Sequence, residues 1–535
     1  MAVPNAVPWG DVPRRDQLFL QYLELACLHG VSAPVHALSP LPDHTPPNKR
    51  ALLLTLVLPS CFNSGVGTGI AERLIDEFLV KRSLTSHLIL IVTTRSKAKS
   101  QQIIDILRKH VRKAAEAKKL RGRAGPSYDP ESTVARIHLV GILVDLCNLH
   151  SVYAAANLLK DGGSPAAGSN CPSSVRVPRL DSIILNAGYG NWTSLNWWGL
   201  FVQLVTKGIP ISFTWPAFKN AAKGTLVDPL TGRVLTKEQA IAEGRTSAEL
   251  LGETFTANLF GHYMFAHALL PLLRRSPEQL AEEALSPARI IWQGSVTVGP
   301  DEYSTSDPQG LRHHDAYDYV KRLNDILVFS STLPKPKPLA TAYLLGEDNN
   351  DGKNNSDKLV APRMYLTHPG ITNTAIFALP FTLSVIWGWV MYLTRWLGSV
   401  WHVGSPYNSA FSPVWIALEE QSRLDDMEAH RSKWGSACSR WRGTLGAKKT
   451  EIHGWGWDGR LASHPRGRPA ESETGFLSRD LGRRQDAVEL TQDALAEFEE
   501  QGAECWREME RLRAEWEERL GVRTAASGDK IALAA

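Results

Sequence analysis

The chain has 535 residues, 43% hydrophobic and 21% charged, with a formal net charge of +4. That composition belongs to a folded protein with a sizeable core, long enough for two domains or one large α/β domain. So small a charge excess at this length excludes nucleic acid as an expected partner. The six cysteines, Cys27, Cys61, Cys147, Cys171, Cys438 and Cys505, lie scattered with no CxxC. They argue for a reducing compartment and against a disulfide framework or zinc site. No basic flank, clean apolar stretch and small-residue cleavage site open the chain, so no signal peptide is expected.

Residues 1–49 read as a proline-rich N-terminal extension. The regular pattern begins at 51–58, "ALLLTLVL", a strand that runs into "SCFNSGVGTG" (Ser60 to Gly69) and a helix over 69–80. Strand, glycine-rich turn and helix is how a dinucleotide-binding unit opens. Gly65, Gly67 and Gly69 would let the backbone turn tightly and bring the helix N-terminus to a pyrophosphate. An ordinary strand–helix turn could carry the same glycines. The second strand, 87–94, ends in "TTRSK". An acid there would hold a ribose 2′-hydroxyl, whereas an arginine accommodates a 2′-phosphate. Arg95, with Lys97 beside it and no acid, therefore favours NADPH over NADH; the alternative is a solvated basic pair.

A helix over 97–119 leads to a third strand, 135–144, which ends at Asp145, and a helix follows over 151–160. The polar, turn-rich stretch 160–174 reads as a surface insertion, as does 346–358. The fourth strand, 181–187, runs into "LNAGYGN" and would put Asn186, Ala187 and Gly188 at the carboxyl edge of the sheet, where open α/β sheets bind ligands. After a helix over 253–275, the fifth strand, 288–293, ends in "WQGSVTV" and brings Ser295 to the same edge. The helix over 314–333 then supplies Tyr317 and Lys321 four residues apart, on one face. A sixth strand covers 363–368. Strands alternating with helices, each strand a near-continuous apolar run, predict an α/β fold: a Rossmann-type, doubly wound parallel sheet covered on both faces.

Beyond the sheet, no acidic or basic side chain occurs between Arg363 and Arg395. Within that interval "AIFALPFTLSVIWGWVMYL" (375–393) is close to the ~20 residues that span a bilayer, with Trp387, Trp389, Tyr392, Trp396 and Trp401 crowding its far end as interfacial aromatics do. Membrane contact is the expectation, by crossing or by lying on the surface, although Pro380 and Gly388 would interrupt an ideal span. A buried helix pair or substrate lid is the alternative. The tail, 480–521, mixes both signs of charge with sparse apolar positions at helical spacing, as a solvated helix with one packed stripe would; a partner-binding coiled coil is the alternative.

The Tyr/Lys pair has a chemical meaning. Reducing a ketone needs a hydride donor on one face of the carbonyl and a proton donor at its oxygen. Free tyrosine has a pKa of ~10, and a neighbouring ammonium would bring it toward the working range. A serine hydroxyl would hold the carbonyl oxygen.

Glycine loop, Asn-Ala-Gly, Ser and Tyr-x-x-x-Lys, in this order and each at a strand end, resemble the short-chain dehydrogenases/reductases. Asn258 in "TANLFGHYMFAHALLPLL" resembles the family's helix asparagine, which supports a proton relay by holding a water near the lysine. "THPGITNT" resembles the Pro-Gly-x-x-x-Thr stretch (Pro369, Gly370, Thr374) that closes over the nicotinamide. "SLNWWGLFVQLVT", "YVKRLNDIL" and "RWLGSVWH" are similar to one branch, the 3-keto-steroid reductases of sterol C4 demethylation in ergosterol-type pathways. The resemblance runs from about residue 50 to "KWGSACSRWRG" near 440.

It implies Ser295, Tyr317, Lys321 and Asn258 as catalytic residues. It implies an NADPH site on Ser60, Asn63, Gly65, Val66, Gly67, Arg95, Asp145, Asn186, Ala187, Tyr317, Lys321, Pro369, Gly370 and Thr374, and no metal. It further implies a 3-keto sterol substrate, partners among the other C4-demethylation proteins, and an endoplasmic-reticulum membrane address with lipid droplets as a second one. The organisation that follows is an extension (1–49), a catalytic domain (50–374), an apolar membrane-contacting segment (375–402) and a C-terminal extension ending in a charged helix (403–535). Three departures stand out. Cys61 occupies the place of the first loop glycine; if that position needs a positive φ, a Cβ costs about 1 kcal/mol or more. Val320 replaces a small residue before the lysine, and Gly294 replaces a serine before Ser295. A reductase of 17-keto steroids or retinoids, or a non-catalytic scaffold in a membrane sterol complex, would share much of the pattern.

Overall fold

The computed structural model describes the backbone of 52–57 and residues 65–162, 177–281, 285–299, 304, 306–346, 359–372, 381–461 and 474–522. Ser60, Cys61, Asn63 and Thr374 lie outside the described residues, as do 1–49 and most of both polar insertions.

In chain order, β1 (Leu52–Val57) leads to α1 (Gly65–Lys81), β2 (His87–Thr94), α2 (Lys97–Ala115), β3 (Ile137–Leu143), α3 (Leu149–Asp161), β4 (Ser182–Leu185) and α4 (Trp197–Thr214). Then follow α5 (Gly261–Ala268), entered through one π turn (Thr256–Phe260), β5 (Arg289–Gln293), α6 (Ala316–Ser330) and β6 (Arg363–His368). The last part holds α7 (Phe381–Trp396), α8 (Phe411–Leu418), β7 (Lys433–Cys438), β8 (Leu445–Thr450) and α9 (Gln492–Arg519). The sheet runs β8-β7-β6-β5-β4-β1-β2-β3, parallel throughout except that β8 returns antiparallel to β7. The reversal of direction at β1/β4 is the switch point of a doubly wound sheet, and the predicted fold class holds.

Alternation along each strand splits the core in two. Ile89 and Ile91 of β2 join α3, α5, α6 and α9 on one face. Leu88, Leu90 and Val92 join α1, α2 and α8 on the other. Two glycines of the expected cofactor loop serve this packing: a Cβ on Gly65 would collide with the Pro406 ring, and one on Gly69 with the backbone of Pro406–Tyr407.

The chain from 403 onward is built into the sheet layers. β7 extends the sheet beside β6, and Trp434 packs edge-on to Trp415 in the α1 layer. The tail buries its apolar stripe against α6, with Trp506 donating to Leu327 O at 3.0 Å. Three of its charged residues, Glu510, Arg513 and Glu517, go inward too, which the sequence pattern did not suggest. Arg513 bonds Glu510 at 2.8–2.9 Å and Glu517 at 2.6 Å, and the hydroxyls of Tyr263 and Tyr153 cap the two acids. Buried charge is tolerable when each partner is satisfied in this way.

No helix among the described residues is long and apolar enough to cross a membrane. The described part of the apolar run, α7, has 16 residues and is ~24 Å long against a ~30 Å hydrocarbon core; residues 375–380 of the run lie outside the described residues. Trp401, expected among interfacial aromatics, is buried instead and donates to Gly482 O at 2.8 Å.

Trp506→Ala is expected to cost about 3–5 kcal/mol in chemical denaturation, since it empties a fully packed site. Trp389→Ala, on the exposed face of α7, should stay within about 0.5 kcal/mol.

Candidate active site

α6 carries the centre of the site. Asp315 caps its N-terminus, Oδ1 accepting from the N–H groups of Tyr317 and Asp318 at 3.1 and 3.2 Å. Tyr317 therefore sits in the first turn, with Lys321 and Asp325 one and two turns further along the same face. Ser295 leaves the carboxyl end of β5, and its hydroxyl draws the pKa of the Tyr317 phenol down. It also shares a 2.8 Å hydrogen bond with Thr297 Oγ1. Lys321 is buried, donates to Gln293 O at 2.8 Å, and holds its Nζ 5.6 Å from the centre of the Tyr317 ring. Burial draws its pKa down to about 8; Asp325 opposes the fall and Lys433 adds to it.

Tyr317 shifts in the opposite sense from the sequence expectation. Its pKa is raised, first by burial and then by the carboxylates of Asp318 and Asp315, with the Ser295 hydroxyl pulling it down. Sequence reasoning missed those two acids, although Asp318 directly follows the tyrosine. It also missed Lys219, whose ammonium lies 3.2 Å from Asp315 and 3.3 Å from Asp318, and 5.9 Å from the Tyr317 ring centre. Nothing in a linear pattern links Lys219 to an acid 99 residues away.

Asp325 forms a fully buried ion pair with Lys433 of β7, at 2.7 and 3.0 Å. Gly294 borders this pair: a Cβ there would lie 3.1 Å from both Asp325 Oδ1 and Lys433 Cε. A side chain before Ser295 would therefore have to be met by a small shift of this pair.

Asn258 is spent on the Asn-Ala-Gly loop. Its Nδ2 donates to Tyr189 O and Thr254 O at 2.8 Å, and its Oδ1 accepts from Tyr189 N at 2.9 Å. The side chain thus positions the loop; the backbone carbonyl of Asn258 faces His262 Nδ1 at 3.1 Å. His262 is buried, and its pKa falls to about 3 through burial and the charge of Lys321. Asn186 and Ala187 are buried at the end of β4, and Asn186 Nδ2 has no hydrogen-bond partner among the described residues. Arg95 is exposed just past β2, and its charge reaches Tyr189 and Glu253. Asp145 is engaged locally, Oδ1 accepting from Cys147 N at 3.0 Å at the entrance to α3. Val66 and Gly67 are buried in the first turn of α1. Pro369 and Gly370 follow β6, and the Gly370 N–H donates to His368 Nδ1 at 3.2 Å.

The structure thus brings Ser295, Tyr317, Lys321, Asn258 and the Asn186–Gly188 loop together at the carboxyl edge of β4 and β5. Arg95 and the Pro369–Gly370 turn flank them at the same edge. An unpaired buried amide at Asn186, an ammonium at Lys321 and a guanidinium beyond β2 form a donor set that suits a phosphorylated dinucleotide with a carboxamide-bearing ring.

No protein-family model matches the chain. Over 527 residues it is 38% identical to the 3-keto-steroid reductase ERG27 of Gibberella zeae, covering 98% of this chain and 99% of that one. The chain belongs to the 3-keto-steroid reductase family. This reductase is also 36% identical over 480 residues to the 3-keto-steroid reductase erg27 of Aspergillus fumigatus, covering 87% of this chain and 94% of the relative. Among solved structures it is similar to a short-chain dehydrogenase/reductase from Brucella melitensis, at 12% identity and a TM-score of 0.31, over 69% of this chain and 91% of that one. The strand order carries the fold assignment independently of that likeness.

Two buried ammonium groups allow a contrast. Lys321 has its pKa depressed to about 8, so the unfolded chain binds the extra proton between about pH 8 and 10, and stability from this group rises with pH in that window. Below pH 8 the buried charge costs about 3 kcal/mol. Lys321→Met is expected to abolish turnover yet gain roughly 1–3 kcal/mol at neutral pH and flatten that rise. Lys433→Met, which strands Asp325, should lose about 3–5 kcal/mol. Denaturant titrations across pH check both.

Proposed function

We propose that the chain is an NADPH-dependent reductase of the C3 ketone of 4-demethylated sterol intermediates, forming the 3β-hydroxyl in ergosterol-type sterol biosynthesis. The observation that carries this reading is the convergence of Ser295, Tyr317 and Lys321 at one sheet edge in a chain that matches 3-keto-steroid reductases over nearly its whole length.

NADPH, when bound, supplies the hydride. Asn186, Lys321 and Arg95 would hold it, Arg95 facing the 2′-phosphate, with the N-terminus of α1 at the pyrophosphate. Ser295 orients the ketone oxygen. Tyr317 gives that oxygen its proton as C3 becomes tetrahedral. A phenol kept protonated by burial is available as an acid across the neutral range, and the developing alkoxide is a far stronger base than the phenolate left behind. Lys321, positively charged below about pH 8, stabilises that phenolate and lets it regain a proton.

The site of action proposed is the endoplasmic reticulum membrane, with lipid droplets as a second address, among the other C4-demethylation proteins. A sterol has one polar atom at its reacting end and a long apolar body, so access from a bilayer avoids its insolubility.

Tyr317→Phe is expected to lower turnover by about 10²–10⁴-fold while retaining NADPH binding, measured as NADPH oxidation with a 4α-methyl-3-keto sterol in detergent. Wild-type turnover should decline as pH rises through about 8, where Lys321 loses its proton. A flat profile from pH 7 to 10 would remove Lys321 from the proposed role.

A further inference from the structure

Two helices of this protein wear their apolar residues on the outside. On α4, Trp197, Trp198, Phe201, Val202 and Val205 form a stripe at helical spacing, with Trp198 72% and Val205 70% exposed. Gln203 of that helix turns inward, where it is buried and donates to Trp215 O at 2.8 Å, while Thr206 and Lys207 stay exposed. On α7, Val385, Ile386, Trp389, Tyr392, Leu393 and Trp396 form a second outward stripe, Trp389 being 67% exposed, while Thr394 is fully buried. This inverts the arrangement of a helix on a water-soluble surface. The two helices touch, Phe213 packing edge-on to Trp387 at 5.5 Å and Thr214 Oγ1 lying 3.3 Å from Ser399 Oγ. Two touching helices thus carry eleven exposed large apolar side chains, beyond the scattered ones usual on a monomer. A break at Gly208 and Pro210 divides α4: the first part carries the outward stripe, the second anchors it to α7.

The chain that carries these helices is poor in acids, although Asp486, paired with Arg484, lies across a cavity from Lys207. No acidic side chain occurs between Asp181 and Asp228, or between Asp357 and Glu419. The charged residues on the two helices are Lys207 and Arg395. At the end of α7, Arg440 donates to Trp396 O and lies 4.8 Å from the ring of Trp441, which is exposed, as is Arg442. Apolar and aromatic residues rimmed by arginine and lysine match a membrane interface, where indole rings settle at the headgroups and basic residues attract anionic lipid.

We propose that α4 and α7 together form a platform that docks on a bilayer surface carrying anionic lipids, without crossing it. The platform adjoins the active site: Trp215, which follows α4, donates its indole N–H to Val296 O beside Ser295 at 3.1 Å, and Lys219 four residues on lies over the Tyr317 ring. A sterol lifted from the outer leaflet would meet this edge first. The inference rests on the membrane-sterol reading above and adds α4, which no apolar run had marked, to the docking surface.

The test is flotation of the full chain, freed of detergent, with phosphatidylcholine vesicles made with and without phosphatidylserine. Wild type should float, and more strongly with phosphatidylserine. Trp198→Ser with Val205→Ser on α4, and separately Ile386→Ser with Trp389→Ser on α7, should each lower the bound fraction about tenfold, since each pair removes large exposed apolar groups. Turnover of the 3-keto sterol in detergent micelles should be unchanged by both. Undiminished flotation of the α4 variant would overturn the platform. So would wild type that stays off vesicles as a dimer which the same substitutions split, because the patch would then be a contact between copies. Absent turnover in micelles with flotation intact would instead overturn the reductase reading and leave the docking surface standing.

Discussion

The site depends on keeping an ammonium charged where water is excluded. Lys321 sits in the middle of a stripe that begins at Tyr317 and ends at Asp325, and Asp325 is itself held by Lys433 from a strand more than a hundred residues later. Burial alone would strip Lys321 of its proton well below the range of a free lysine; the carboxylate one turn away opposes this, and the second lysine adds to it. The resulting balance leaves Lys321 charged at neutral pH and close enough to neutrality to exchange. Gly294 is part of the same constraint, because any side chain there would press on the ion pair.

That arrangement explains why the chain beyond residue 403 is woven into the catalytic fold. β7 brings Lys433 to Asp325, α8 closes the layer over α1, and α9 packs on the back of α6. A helix that must hold three ionisable groups in register benefits from support along its whole length. The apolar stripe of α9 gives that support, and the Glu510–Arg513–Glu517 network holds α9 in turn, each acid meeting Arg513 and a tyrosine hydroxyl. Such a network is stabilising only while complete, which ties the tail's position to α5 and α3.

Around Tyr317 the electrostatics are more acidic than a Tyr/Lys pair suggests. Asp315 and Asp318 raise the phenol's pKa and Lys219 neutralises them in turn. The same Lys219 lies at the end of the segment that descends from the outward-facing α4, so the apolar surface and the proton donor share one stretch of chain.

The strands, the order in which they carry their ligand-edge residues, and the identities of Ser295, Tyr317 and Lys321 were legible in the sequence. Apolar runs, turn residues and a four-residue spacing are local signals, and a parallel sheet places every strand end on one side. The lysine's effect on the tyrosine was not legible, because a pKa sums burial and all nearby charges, and Lys219, Asp315 and Asp318 meet only in three dimensions. Nor was the meaning of Gly65 and Gly69, whose missing side chains make room for Pro406 and Tyr407. The 375–393 run announced an apolar helix; only the tertiary structure decided that Val385, Ile386 and Trp389 face outward, that Trp401 turns inward, and that α4 lies beside it. Hydropathy records how apolar a residue is. Which way it points depends on what the rest of the chain has already covered.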